Sequence, residues 1–359
     1  MTSAPESVSP RPDGLLRSRG FHLFLGLAVS AGCLWWATRD LFMDAAARGQ
    51  FFSAFRQADY RHLPLLLGML LAFYSLKAYR WTLLLRPIGG YRTWADCFGP
   101  MLAGFAVNNT LPARAGEVVR VMVFARRSGQ PVTAVLATVA LERILDMLSI
   151  LSLLGLGLVL LPDMDARIRA SAMGMAIIAG AGVAGAVVFL MWSAPVIRLT
   201  DWGLARIRVP EIVHKKLIQM LESAARGLAA LRSPGIFFQL IVVSLAKWLL
   251  NGGMMFLSLR SFAVDVPFAA ALVLLGVVAL AVAFPAAPGF FGVIQVCFTS
   301  TLKGFAVSLP AVLAASIYYH IIQYVPVTVG GLLWLSKSGF RMQAIQGTTL
   351  PNTPQPPDL

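Results

Sequence analysis

Polar side chains set inside otherwise apolar stretches are the residues of this chain that could do chemistry. The densest run is Asn108-Asn109-Thr110-Leu111-Pro112-Ala113-Arg114-Ala115-Gly116-Glu117-Val118-Val119-Arg120. A helix starting after Gly116 would aim free backbone N–H groups and a positive dipole end at a ligand. Arg114 and Arg120 flank that start. Guanidinium pairs with phosphate through two parallel hydrogen bonds, which suits a phospholipid or polyprenyl-phosphate headgroup. Glu117 is placed to pair with one arginine or to cap the helix start, and Asn108 and Asn109 to satisfy the broken backbone. The other reading of the arginines is that they mark the cytoplasmic rim of a membrane.

A second break, Phe284-Pro285-Ala286-Ala287-Pro288-Gly289-Phe290-Phe291-Gly292, lies far downstream. Pro112 is followed four residues on by Gly116, and Pro288 four residues on by Gly292 and then Gln295. Paired broken segments in two halves of a transporter point to a binding site at the membrane midplane. Irregular backbone at that depth is tolerated only against protein or a water-filled cavity. The expected substrate-binding set is therefore Asn108, Asn109, Arg114, Gly116, Glu117, Arg120, Pro288, Gly289, Gly292 and Gln295, with the two breaks facing each other. Two ordinary interfacial loops are the alternative.

Ionisable groups within spans usually face a cavity or one another. Glu142 and Asp146 are one helical turn apart, and Arg143 and Asp146 are three residues apart and able to pair. Lys77 and Arg80, Lys247 and Asn251, and His320 and Gln323 are each spaced to share a helix face. These residues form an expected gating or structural polar network of Lys77, Arg80, Glu142, Arg143, Asp146, Lys247 and His320. A structural ion-pair knot and a proton-coupling site both fit the acidic pair, and snorkelling to the interface accounts for Arg80.

The elements that must position these residues follow from composition. The chain is 58% hydrophobic and 13% charged, with mean hydropathy +0.74, against about 25% charged in soluble domains. That is the composition of an all-α polytopic membrane protein. About 20 apolar residues are needed to cross about 30 Å of hydrocarbon. Six stretches meet this: Phe21 to Thr38, Leu63 to Leu85, Pro131 to Leu161, Ile168 to Trp192, Ile236 to Leu257 and Ala311 to Leu335. Asp96 to Leu111, and Phe268 to Leu302 with its break, read as two re-entrant segments opening from opposite sides, a weak internal inverted repeat. An uncleaved first span is favoured over a signal peptide, because hydrophobicity continues through Leu34-Trp35-Trp36. Gly174, Ala181, Gly182, Gly185 and Ala186 give small faces that either allow close helix approach or simply meet lipid.

The net charge of +14 is concentrated between spans, where it sets orientation and attracts anionic headgroups rather than nucleic acid. Lys77, Arg80, Arg86 and Arg92 mark one end of the second span as cytoplasmic, as Lys337 and Arg341 do for the last. The connection Ser193 to Gly235 carries Arg198, Arg206, Arg208, Lys215, Lys216, Arg226 and Arg232 against Asp201, Glu211 and Glu222. Beyond Pro210 it reads as an amphipathic helix on the inner surface. Residues 1–20 and 336–359 read as disordered cytoplasmic tails, placing both termini inside the inner (cytoplasmic) membrane.

Cys33, Cys97 and Cys297 are far apart and the four histidines lack HxxxH spacing, so no metal or disulfide framework is signalled. P-loop, GxSxG and HExxH motifs are absent from the sequence. No cofactor is expected, and enzyme activity is not favoured. The expected partners are a membrane lipid and a lipid-modifying enzyme.

Three blocks, NNTLPARAGEVVRV, ATVALERILDMLSI and FPAAPGFFGVIQV, resemble the signature blocks of the lysylphosphatidylglycerol synthase transmembrane (flippase-like) family, which includes the membrane half of the multiple peptide resistance factors. The resemblance covers roughly Phe21 to Leu335. It implies a lipid translocator, with Pro112, Gly116, Glu117, Arg120, Glu142, Arg143 and Asp146 at the family's polar positions. The chain departs from the pattern where Gln295 stands for a usual glutamate and His320 near a usual arginine, which implies a divergent branch. The soluble aminoacyl-transferase domain of the two-part enzymes is not in the sequence. The resemblance also leaves two other classes in play, a membrane-embedded transferase acting on a lipid-linked sugar and a non-transporting scaffold.

Overall fold

A computed structural model describes residues 28–39, 42–91, 93–111, 115–162, 166–191, 198, 201–202, 206, 233–283 and 288–338. The described chain is helical throughout: α1 (28–39), α2 (Ala45–Gln57), α3 (Leu63–Leu85), α4 (Ala95–Thr110), α5 (Ala115–Ser128), α6 (Val132–Leu160), α7 (Ala166–Met191), α8 (Pro234–Ser261), α9 (Phe268–Ala281), α10 (Val293–Leu302) and α11 (Leu309–Lys337). Pro112, Arg114, Pro285 and the proposed inner-surface helix after Pro210 lie outside the described residues, as do residues 1–20 and 339–359.

Four helices among the described residues are long and apolar enough to cross a membrane: the α3 segment, α6, α8 and α11. Their local causes are plain. Each is a long apolar run, and α3, α8 and α11 begin with proline in the first turn, where its fixed φ suits a helix start and its missing N–H costs nothing. A fifth expected span, α7, runs 26 residues. The molecule is an all-α polytopic membrane protein.

Helices α4, α5, α9 and α10 are too short to cross, and the start of the expected first span, before residue 28, lies outside the described residues. At 1.5 Å rise per residue, the 16 residues of α4 and the 14 of α5 reach only about 20–25 Å, and the 10 of α10 about 15 Å. α4 packs on α5, and α9 on α10, so each break is the tip of a helical hairpin. The two hairpins enter from opposite ends. α4 follows the C-terminal end of α3 and α5 leads into the start of α6, and a Cβ on Gly90 in the first connection would lie 2.7 Å from Ser128 in the second. The exposed Arg86, Arg126, Arg127 and Lys337 share this end, and Arg127 lies over the Trp334 ring at 5.2 Å. α9 leaves from the other end, where α3 starts beside the end of α8 (Asp59 N–H to Ser261 O, 2.8 Å; His62 Nδ1 to Ser261 Oγ, 3.1 Å). α10 returns there to feed α11.

In α7, Gly174 faces open space, which fits the lipid-facing reading at that position. At Gly116 a Cβ would run into the carbonyl of Gly104 and Asn108 Oδ1, so α4 and α5 touch backbone to backbone at the first break. This closeness brings Arg120, one turn further along α5, deep into the bundle.

Candidate functional site

The sequence separates Lys77, Arg80, Arg120, Glu142, Arg143, Asp146 and Lys247 over four helices. The fold brings all seven together. Glu142 and Asp146 point from the middle of α6, and their side chains are 0% and 4% exposed. Asp146 Oδ1 receives Arg80 Nη1 at 2.7 Å, Lys247 Nζ at 2.5 Å and the indole N–H of Trp248 at 3.0 Å. Arg80 Nη1 also donates to Ser244 Oγ at 2.9 Å. Glu142 Oε2 accepts from Arg120 Nη2 at 2.7 Å. The Arg120 guanidinium lies 3.7 Å from the centroid of the Trp81 ring, whose own N–H donates to Thr138 at 3.0 Å.

The other oxygen of each carboxylate is held loosely. Glu142 Oε1 lies 3.5 Å from Arg80 Nη2, 3.6 Å from Arg143 Nη2 and 3.9 Å from Lys77 Nζ. Asp146 Oδ2 lies 3.9 Å from Arg143 Nη1. Neither oxygen has a hydrogen-bond partner, nor do the buried Nε atoms of Arg80 and Arg120. Arg143 reaches three carboxylates, the third being Glu117 at 3.5 Å, without a short bond to any. It and Glu117 are 35% and 27% exposed and form the open edge of the cluster. Five cations therefore face three carboxylates among the described residues, a formal surplus of two positive charges. Lys77 lies 4.1 Å from the Phe105 ring centroid and Lys247 4.1 Å from that of Trp248.

Three expectations need correction. Arg80 does not snorkel: its side chain is 0% exposed, with Nη1 held by Asp146 and Ser244 and Nη2 facing Glu142 inside the bundle. Lys77 and Arg80 accordingly do not mark a membrane face, whereas Arg86 is exposed at the end of α3. Arg120 is not a rim residue, being held between Glu142 and Trp81. The start of α5 is also less open than a bare helix terminus, since the Gly116 N–H donates to Asn108 Oδ1 at 2.8 Å.

The second break is built differently. Gly289, Phe290 and Gly292 all have positive φ, 73°, 56° and 84°, a conformation costly for the phenylalanine. Gln295 Oε1 accepts the Gly292 N–H at 2.8 Å, and its amide nitrogen meets His320 Nδ1 at 3.2 Å. His320 Nε2 lies 2.8 Å from the Gly289 carbonyl. One tautomer satisfies every contact: Nε2–H donates to the carbonyl and Nδ1 accepts from the amide. Phe291 and Tyr324 pack on the imidazole. His320 thus joins Gln295 and not the ion cluster, and the two departures from the family pattern bond each other. Asn251 and Gln323 meet at the Tyr319 hydroxyl, at 2.6 and 3.4 Å.

The described residues flanking the two breaks meet. The end of α4 packs against Pro288–Phe290, and α11 ties them: Asn109 Nδ2 donates to Thr328 Oγ1 at 2.8 Å, and the Tyr324 hydroxyl to the Asn109 carbonyl at 3.2 Å. Sequence reasoning missed Trp81, Trp248, Ser244, Thr138, Tyr324 and Thr328. An indole or hydroxyl inside an apolar span was the available signal, since each buried N–H or O–H needs a partner.

Comparison with known proteins agrees with this architecture. Glycosyltransferase AglD of Haloferax volcanii is 27% identical over 296 residues, which cover 72% of this chain and 46% of that protein, so the chain spans about half the length of the curated relative it matches. No solved structure matches it. The family described as lysylphosphatidylglycerol synthase TM region matches residues 23–331. With all but the ends of the chain inside that match, the protein belongs to the lysylphosphatidylglycerol synthase transmembrane family.

Proposed function

We propose that this protein is a translocator that passes a phosphate-bearing lipid or polyprenyl-linked headgroup across the inner membrane, with both termini cytoplasmic. The observation that carries this reading is the ion cluster in the middle of the bundle. Buried charges are costly unless paired, and this set holds more cation than its own carboxylates neutralise. An anionic headgroup would complete it. Arg143, at the open edge beside Glu117, is the first contact, and Arg80 and Lys77 lie behind it. The opposed hairpins support alternating access, since each tip can yield toward one side while α11 holds the other. Asn108, Asn109 and the Pro288–Gly292 break line the junction between them.

The test is headgroup translocation in vesicles reconstituted with the full chain, using fluorescent anionic phospholipid and polyprenyl phosphate. Protein-dependent loss of outer-leaflet signal is expected. No transport of any of these lipids would overturn the reading. A second reading, that the chain serves lipid-linked glycosyl transfer, is favoured by the relative whose printed name is a glycosyltransferase. Sugar-donor turnover by the purified protein, alone or with a co-purifying enzyme, would select it.

A further inference from the structure

Resting on the reading of the ion cluster as the headgroup site, we propose that it takes a phosphate bearing two negative charges, a phosphomonoester or terminal diphosphate, in preference to a singly charged phosphodiester or a cationic aminoacylated headgroup. The argument is one of charge balance among groups mostly removed from water: Lys77, Arg80, Arg120, Lys247, Glu142 and Asp146 are at most 5% exposed, and Arg143 and Glu117 form the open edge. Lys77, Arg80, Arg120, Arg143 and Lys247 stand against Glu117, Glu142 and Asp146. A doubly charged phosphate brings the group to neutrality. A phosphodiester leaves one buried positive charge unmatched, and a headgroup carrying an added amine raises the surplus further. Each unmatched buried ion is unfavourable.

Geometry says where the phosphate would sit. Half of the cluster is committed: Asp146 Oδ1 accepts a hydrogen bond from Trp248 and is ion-paired with Arg80 and Lys247, all within 3.0 Å, and Arg120 donates to Glu142 Oε2 at 2.7 Å. The other half is loose. Lys77, Arg143 and Arg80 Nη2 approach Glu142 Oε1 only at 3.5–3.9 Å, and Arg80 Nε is buried without a hydrogen-bond partner. Two guanidiniums, one of them the partly exposed Arg143, and an ammonium converge with donors to spare and match the oxygens of a terminal phosphate.

The experiment measures binding to the full chain in nanodiscs of phosphatidylcholine. The probes are short-chain phosphatidic acid as the monoester, short-chain phosphatidylglycerol as the diester, lysyl-phosphatidylglycerol, and inorganic phosphate. Phosphatidic acid is expected to bind tighter than phosphatidylglycerol by about tenfold or more, the effect of one added charge at close range, with the lysylated lipid weakest. Lys77→Gln, which lowers the surplus, is expected to bring monoester and diester toward parity. Glu117→Gln, at the exposed edge where folding is not at stake, is expected to widen the gap. Opposite movement in the two variants is a response that a purely structural role would not give. Competition by inorganic phosphate at equal concentration would assign the same chemistry to the free anion and not to a lipid. Equal or tighter binding of either competing lipid, still lost in Arg143→Gln, would overturn the charge preference alone. No binding of any probe would overturn both it and the translocator reading.

Discussion

The first break is surrounded by charge that does not balance, and the second by neutral groups that do. Around α6, seven buried or half-buried ionic side chains and Glu117 leave carboxylate and guanidinium atoms without hydrogen bonds. Around α10, the polar atoms linking Gly289, Gly292, Gln295 and His320 find partners in a single tautomer. Both regions sit at the tip of a hairpin, and both tips meet α11. The difference teaches that the hairpins do different work. A closed neutral network fixes a backbone turn, whereas a loose, over-cationic network costs stability, which fits the headgroup site proposed above. Half-satisfied buried polar networks are less stable than apolar packing.

The comparison breaks most visibly at Arg80. Replacing it with Met strips Asp146 and Glu142 of a shared cation inside the bundle. The expected loss is about 3–5 kcal/mol, read as a large fall in thermal unfolding temperature in detergent. Gln295→Ala is expected to cost less, about 1–3 kcal/mol, for the unpaired Gly292 N–H and the imidazole acceptor left behind. If Gln295→Ala were the more damaging, the ion cluster would not be the costlier of the two networks. The smallest effect is expected for Arg260→Ala. Its 2.8 Å pair with Asp265 is exposed at the end of α8, so a change within about 1 kcal/mol should follow.

Much of the scaffold was legible in the residues. Leu63–Leu85 ends where its apolar run ends, and α6, α8 and α11 match the expected spans within a few residues. The pairing of breaks was legible too, because proline and glycine interrupt segments already too short to cross. What could not be read was convergence. Lys77 with Arg80, and Lys247 with Asn251, look like independent polar faces. Only the packing of α3 and α8 against α6 turns the lysines and Arg80 toward the same two carboxylates and leaves Asn251 to Tyr319. The misreading of Arg80 as a snorkelling residue has the same origin, since local sequence records a cation near a span end and not the carboxylates on another helix. The bond between Gln295 and His320 joins residues 25 positions apart, and no spacing rule reaches that far.

Arg143 separates binding from folding better than any other position, because it is one-third exposed and has no short ion pair. The most direct measurement is translocation of a fluorescent anionic phospholipid in vesicles carrying wild-type protein or Arg143→Gln, with unfolding temperature recorded for both. The account predicts headgroup translocation by the wild type, a fall on the order of tenfold in the variant, and unfolding changed by no more than about 1 kcal/mol. Equal translocation by the two proteins would contradict it.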